Sequence, residues 1–333
     1  MKIPIPTFLK GGTAPLVIAT IILAALPLFN IPQEWILYLF LFFVYLALAN
    51  MWNLLAGYCG LISLAQPAFI GIAGYVLAIF AWVGMPLWMG VISGGIVAGI
   101  FALLLSAPAF RLRGIYFAIG TLIIPEAVRI VFLMWRPVGT STYGKGAGYI
   151  IKGSTSFAPS ELYWMALVVG IGSVFLMRFI LRSKYGLGLA AIRDSDTTAA
   201  SSGINVFRLK LYSFILSAIV TGFAGAIFYI SQGFIEPLSA FNIQWTMILM
   251  LSTVIGGIAI IEGPIFGAII VVIMHFLLAR YGNISLLLQG IILIAIMLGA
   301  PQGIMGALRK TRVYSAFLRL DTGKEEHTEN ITG

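Results

Sequence analysis

Charge is scarce in this sequence. Of 333 residues, 20 are Lys or Arg and 11 are Asp or Glu, so 9 % are charged, against about a quarter in ordinary soluble domains. Cysteine is nearly absent, and the lone Cys59 excludes a disulfide framework and any thiolate-rich metal site. There are two histidines, His275 and His327, and no cluster with metal-ligand spacing. What is abundant is apolar surface: 60 % of residues are hydrophobic and the mean hydropathy is +1.04. A water-soluble domain of this size exposes too much area to hide that many apolar side chains, and disorder needs the opposite composition. Most of the chain is therefore solvated by lipid.

A helix crosses the hydrocarbon core with about 20 apolar residues, within a range of about 17–25. Ten apolar runs lie between polar, Gly or Pro breaks: Ala14–Phe29, Trp35–Ala56, Pro67–Val83, Pro86–Ala107, Gly114–Trp135, Glu161–Leu181, Leu209–Ser231, Trp245–Ile261, Pro264–Ala279 and Ile284–Ala300. The first, third and ninth are short, so an all-α polytopic membrane protein of about ten (eight to ten) transmembrane helices is expected. Lys2 and Lys10 precede the first run as in a signal peptide, but no small-x-small cleavage site follows, and it is read as a retained helix. Ten spans with both termini inside put Arg136, Lys145, Lys152 and Arg280 outside and leave Arg129 within a span. The other fifteen Lys and Arg are then cytoplasmic. Positive loops stay in the cytoplasm, so this asymmetry sets the orientation and accounts for the net charge of +9 without nucleic acid. The expected organisation is a cytoplasmic N-terminus (1–13), a membrane domain (14–300) and a basic then acidic cytoplasmic tail (301–333).

Two connections are long. The outer one, 135–160, is rich in Gly, Ser and Thr and reads as a flexible loop. The inner one, 182–208, reads as a short amphipathic helix running from Leu187 through Arg193 and Asp194, with Asp196 capping its second half and Gly203 ending it. Such a helix suits either a protein partner or the lipid headgroups.

Chemical motifs fail on inspection. Gly139 to Lys145 has the spacing of a phosphate-binding loop, but Gly146 stands where a magnesium-binding Ser or Thr belongs, and no strand precedes it. No nucleophile and base pair up for an intramembrane hydrolase. Polar residues inside the spans are more informative, because they are costly there and face the bundle interior or an aqueous path. Glu126 and Arg129 are three apart on one helical face, beside Pro125, and can pair in place or line a pathway. Asn50, Asn53, Ser63 and Gln66 flank a glycine-rich interruption, Gly57-Tyr-Cys-Gly60, before Pro67. Broken helices of this kind often border a substrate route, although the small residues also permit close helix packing. A second interruption spans Gly256-Gly257, Glu262-Gly263-Pro264 and Gly267.

Four segments in order carry a resemblance. They are Asn53 to Phe69 (NLLAGYCGLISLAQPAF) with Gly71 and Gly74-Tyr75; Arg113 to Leu122 (RGIYFAIGTL) with Glu126 and Arg129; Gly186 to Asp196 with Ala199-Ala200, Gly203-Ile-Asn205 and Lys210; and Gly256-Gly257 with Gly263-Pro264 and Gly267-Ala268. Together they resemble the LivM-type permeases of ABC importers for branched-chain amino acids, over about Asn50 to Pro301. Departures are Pro67 after Gln66, Ala65 and Ala259 at positions where glycine is common, and Ser195 for an acidic residue.

The resemblance implies that the inner loop is a cytoplasmic coupling helix docking on an ATPase subunit, with Arg193, Asp194, Asp196, Ala199, Gly203 and Ile204 matching its motif. It implies two ABC ATPase subunits, a sister permease and a periplasmic or lipid-anchored solute-binding protein, in a bacterial or archaeal cytoplasmic membrane. ATP is then used by the partners, and this chain binds no cofactor. Asn50, Asn53, Ser63, Gln66, Thr121, Glu126 and Arg129 are the candidate translocation path. Related permeases carry urea, short amides or aromatic acids, so the solute is open between these and branched-chain amino acids. The rival reading, a stand-alone secondary transporter or channel, calls for coupling-ion carboxylates near mid-membrane, and Glu126 alone qualifies.

Overall fold

Inside lipid a backbone has no water to bond, so apolar runs satisfy their own N–H and C=O groups as helices. The computed structural model describes residues 14–29, 32–138, 145–278, 284–299 and 303–310. The helices are α1 (Ala14–Ala25), α2 (Gln33–Asn53), α3 (Gln66–Val83), α4 (Leu87–Ala109), α5 (Ile115–Met134), α6 (Pro159–Arg182), α7 (Lys184–Asp194), α8 (Asp196–Ser201), α9 (Val206–Gln232), α10 (Pro237–Ala240), α11 (Gln244–Gly256), α12 (Gly263–Leu278), α13 (Ile284–Gly299) and α14 (Gly303–Lys310). Each of the ten expected runs holds a helix among the described residues, although Trp245–Ile261 is helical only to Gly256. Among the described residues, seven helical stretches are long and apolar enough to cross a bilayer: Gln33–Tyr58, α3, α4, α5, α6, α9 and Pro237–Gly256.

The remaining three runs hold shorter helices within the described residues. Pro27 turns the end of α1 into a 3-10 turn, Leu26–Phe29. α12 starts at Gly263, one residue before its expected run, and 16 residues each of α12 and α13 are described. The third run, expected to be short, gains Gln66 and reaches 18 residues. Residues 1–13 and the tail beyond 310, with His327, lie outside the described residues, as do Arg280 and most of the stretch with phosphate-loop spacing.

The centre is built from α2, α3 and α9, with α4 and α6 packed around them. Small residues let these backbones approach. A Cβ on Gly222 of α9 would stand 2.9 Å from the Ala98 Cβ of α4 and 3.0 Å from the Gly95 Cα. By contrast, only 17 % of the apolar window of α5 is buried, against 72 % for α3. Its buried side chains, Phe117, Thr121 and Pro125, recur every fourth position and form one stripe.

The two long connections sit at opposite ends of α6 and α9. The one after α5 is more ordered than its composition suggests. Tyr149–Ile150 (β1) pairs antiparallel with Phe234–Ile235 (β2), Tyr149 opposite Ile235. The Trp82 indole donates to Ile150 O at 2.9 Å, the Tyr149 hydroxyl donates to Val138 O at 2.7 Å, and Lys152 Nζ lies 3.7 Å from the Trp82 ring centroid. Gly, Ser and Thr mark the turns of 145–158, but its strand partner comes from more than eighty residues away.

Candidate functional site

Both glycine-rich interruptions are true breaks, and side chains brace them. After α2 the chain makes one π-helical turn, Leu54–Tyr58, and then runs non-helically until α3 begins with Gln66 and Pro67. Gly60 takes a left-handed φ of +69°, which a side chain would resist. Each freed backbone group needs a partner. Leu61 N donates to Leu55 O at 2.8 Å, Ser63 O accepts from the Trp52 indole at 2.9 Å, and Leu64 N donates to Thr121 Oγ1 of α5 at 3.0 Å. Ser63 Oγ donates to Gln66 Oε1 at 3.1 Å, and Ser217 Oγ of α9 donates to Met51 O at 3.2 Å. Ser63, Gln66 and Thr121 are buried.

Asn50 and Asn53 are buried as well. Asn50 Nδ2 donates to Ser173 Oγ of α6 at 2.9 Å. Asn53 clamps the second break: its Oδ1 accepts from Ala259 N at 2.9 Å and its Nδ2 donates to Ile260 O at 3.0 Å. Ala259 has a left-handed φ of 59°, a conformation costing a non-glycine residue about 1–2 kcal/mol. The same break buries Glu262, whose carboxylate acts electrostatically on the buried guanidinium of Arg178 on α6, with Arg182 close by. Sequence reasoning takes Arg178 only among the fifteen cytoplasmic charges and Glu262 only as part of an interruption. The signal it passed over is a carboxylate placed between the Gly256-Gly257 pair and Gly263.

Glu126 and Arg129 pair along α5, with Arg129 Nε donating to Glu126 Oε2 at 2.8 Å. Both line a cavity of about 500 Å³, bordered also by Leu64, Pro67, Phe241 and Thr246. Of the seven polar residues singled out in the spans, these two face open space. The other five are held in the bonds just described.

At the other long connection the single expected helix is two, α7 and α8. Ser195 between them is extended (φ −165°), and this interruption makes it the cap of the second helix, in place of Asp196. Ser195 Oγ accepts from Thr198 N at 3.3 Å. The Asp196 carboxylate turns instead to Lys210 Nζ at 2.6 Å. Gly203 (φ +81°) ends α8 as expected, with Ile204 N donating to Ala199 O at 3.1 Å. Ala199 is buried and Ile204 half-buried, while Arg193, Asp194, Asp196 and Gly203 are exposed. A cavity of about 650 Å³ lies between this pair, the first break and the start of α9, bordered by Cys59, Gly60, Arg113, Arg193, Asp196 and Lys210. Burial pushes the Cys59 thiol up to about 12, which leaves it protonated and unreactive. Among the described residues no group of His, Cys, Asp and Glu could hold a metal ion.

Comparison with known proteins follows from these features. The sequence model of a family described as branched-chain amino acid transport system / permease component matches residues 35–300. The chain is 29 % identical over 292 residues to the high-affinity branched-chain amino acid transport system permease protein LivM of Salmonella typhimurium, covering 80 % of this chain and 68 % of that one. LivM of Escherichia coli matches at the same identity and coverage. A probable LivH of Methanocaldococcus jannaschii is 28 % identical over 155 residues, 44 % of this chain and 48 % of that one. No solved structure matches the chain.

Proposed function

This chain belongs to the family of branched-chain amino acid transport permease components, and from that premise we propose that it forms half of an ATP-driven path for branched-chain amino acids or a related small solute. It is a transmembrane permease subunit of an ABC importer, a multi-pass inner-membrane protein and not an enzyme. ATP hydrolysis lies with separate ATPase partners. A sister permease and a solute-binding protein complete such an importer, in this reading with two ATPase subunits. Both termini are cytoplasmic, and α1, α12 and α13 complete ten spans with the seven long ones.

In this reading α7 and α8 are the coupling helices, cytoplasmic and docked on an ATPase. The observation that carries it is a folded helix pair that presents Arg193, Asp194 and Asp196 to solvent, while Leu189 packs into the core and Ala199 is buried. ATP-driven closure of the ATPases moves this pair, and the spans alternate between outward- and inward-facing states. The path runs along α5, where Glu126 and Arg129 face a cavity and most of the helix lies outside the core. Ser63, Gln66 and Thr121 hold the broken segment beside that path, whereas Asn50 and Asn53 brace α6 and the second break behind it. The solute follows the relatives' names, with urea, short amides and aromatic acids as alternatives of similar size.

The test is purification of the tagged chain from its native membrane in mild detergent, with the co-purifying proteins identified by mass spectrometry. Two copies of ABC ATPase and a sister permease are expected. A chain recovered reproducibly alone, and still able to transport after reconstitution, contradicts the assignment.

A further inference from the structure

The broken segment between α2 and α3 borders two different cavities. Its first residues, Cys59, Gly60 and Leu61, line the cavity beneath α7 and α8, and Leu64, with Pro67 just beyond, lines the cavity of Glu126 and Arg129. At the first end the segment lies against the helix pair: a Cβ on Gly60 would be 3.6 Å from the Cα of Arg193, an ordinary van der Waals distance. Cys59 is buried there, with Ser213 of α9 and the charges of Lys210 and Asp196 nearby.

At the other end the segment is tied to α5. Leu64 N donates to Thr121 Oγ1 at 3.0 Å, and that hydroxyl donates to Ala118 O at 3.0 Å, so both functions of one side chain are engaged. Thr121 is the middle residue of the buried stripe of α5. Phe117, one turn before it, lines the first cavity, and Pro125, one turn after it, lines the second. Little else of α5 is buried, so this bond is one of the few ties between the helix and the broken segment.

We propose that residues 59–65 are a lever that carries movement of α7 at Arg193 to α5, and that Thr121 is the positioning residue latching the lever to the helix of Glu126 and Arg129. This rests on the coupling role assigned to α7 and α8. A lever needs contact at both ends and stiffness between them. The contacts are the packing of α7 on the turn that leads into the segment, Leu54–Tyr58, with Gly60 close to Arg193, and the Thr121 bond. The stiffness comes from the Trp52 indole on Ser63 O and the Ser63–Gln66 bond, which hold the segment's middle against α2 and α3.

The experiment compares Thr121→Val with Thr121→Ser in the full complex, reconstituted in proteoliposomes with its ATPases and binding protein. Valine keeps the side chain's shape but removes the hydroxyl, whereas serine keeps the hydroxyl. Leucine uptake and ATP hydrolysis are measured on the same vesicles. Thr121→Val is expected to hydrolyse ATP within about twofold of wild type and to import about tenfold less solute per ATP, a typical coupling magnitude; Thr121→Ser restores the ratio. An unchanged ratio in Thr121→Val, or an equal fall of uptake and hydrolysis, overturns the lever. A wild-type complex that takes up neither leucine nor the alternative solutes when ATP is supplied defeats the coupling reading itself, which is a separate result. If Thr121→Val does not assemble, Cys59 in the wild-type complex decides. Maleimide labelling of Cys59, read by mass spectrometry, is expected to rise about fivefold or more when the ATPases are trapped with nucleotide and vanadate. Labelling equally slow in both states overturns the proposal.

Discussion

Replacing Asn53 by alanine separates a brace from a solute ligand. Asn53 is fully buried, and its amide makes two bonds to the second break, to Ala259 N at 2.9 Å and to Ile260 O at 3.0 Å. The substitution leaves both backbone groups without these partners. An unsatisfied buried group costs about 1–3 kcal/mol. Ala259 and Ile260 are themselves half-buried, so some water reaches them and the total falls to about 2–4 kcal/mol. The break also holds Ala259 in a left-handed conformation, and without the clamp that strain favours opening. Ala259→Gly removes the strain, so it is expected to raise stability by about 0.5–1 kcal/mol alone and to recover part of the loss in the double variant. The assay is the thermal unfolding midpoint of the detergent-solubilised complex, alongside the solute concentration that half-saturates uptake. Asn53→Ala should lower the midpoint by several degrees with half-saturation unchanged in whatever fraction stays folded. A wild-type midpoint with a raised half-saturation concentration would refute the bracing role and put Asn53 on the solute.

Reversing charge at both Arg193→Glu and Asp196→Lys should leave the fold intact. The Asp196–Lys210 pair is half-exposed at the carboxylate, and such pairs contribute about 0–1 kcal/mol. ATP-driven uptake should nonetheless collapse in the assembled complex, and full transport by the double variant would sink the coupling role. Gly222→Val forces a branched side chain to within 2.9 Å of Ala98 and 3.0 Å of Gly95, and overpacking of this kind costs about 1–3 kcal/mol. A lower midpoint is expected, whereas an unchanged one would show that α4 and α9 are not held so close.

Much of the fold could be read from the chain because lipid restricts the choices. Every apolar run holds a helix, and Gly57, Gly60, Gly256 and Gly263 marked both breaks. What could not be read depends on partners distant in sequence. Asn53 and Ile260 are 207 residues apart, and nothing near Asn53 announces that its amide is committed to a backbone rather than open to a solute. The same holds for the pairing of β1 with β2, where a Gly, Ser and Thr composition conceals a strand that pairs only after α9 returns the chain. The cap of α8 was misplaced for a local reason. Asp196 and Ser195 are both good caps, and the choice turns on which of them leaves the helix: α7 ends at Asp194 and Ser195 is the extended residue. Glu126 and Arg129 were legible because charge within an apolar run is rare enough to stand out by itself.

The most direct test of the account is solute accumulation in proteoliposomes holding this chain with its sister permease, ATPases and binding protein. The account predicts that labelled leucine, or one of the related solutes, accumulates only when ATP is supplied to the side of α7 and α8. It also predicts that the chain alone accumulates nothing under any ion gradient. Gradient-driven accumulation by the chain alone, without ATP, would contradict it.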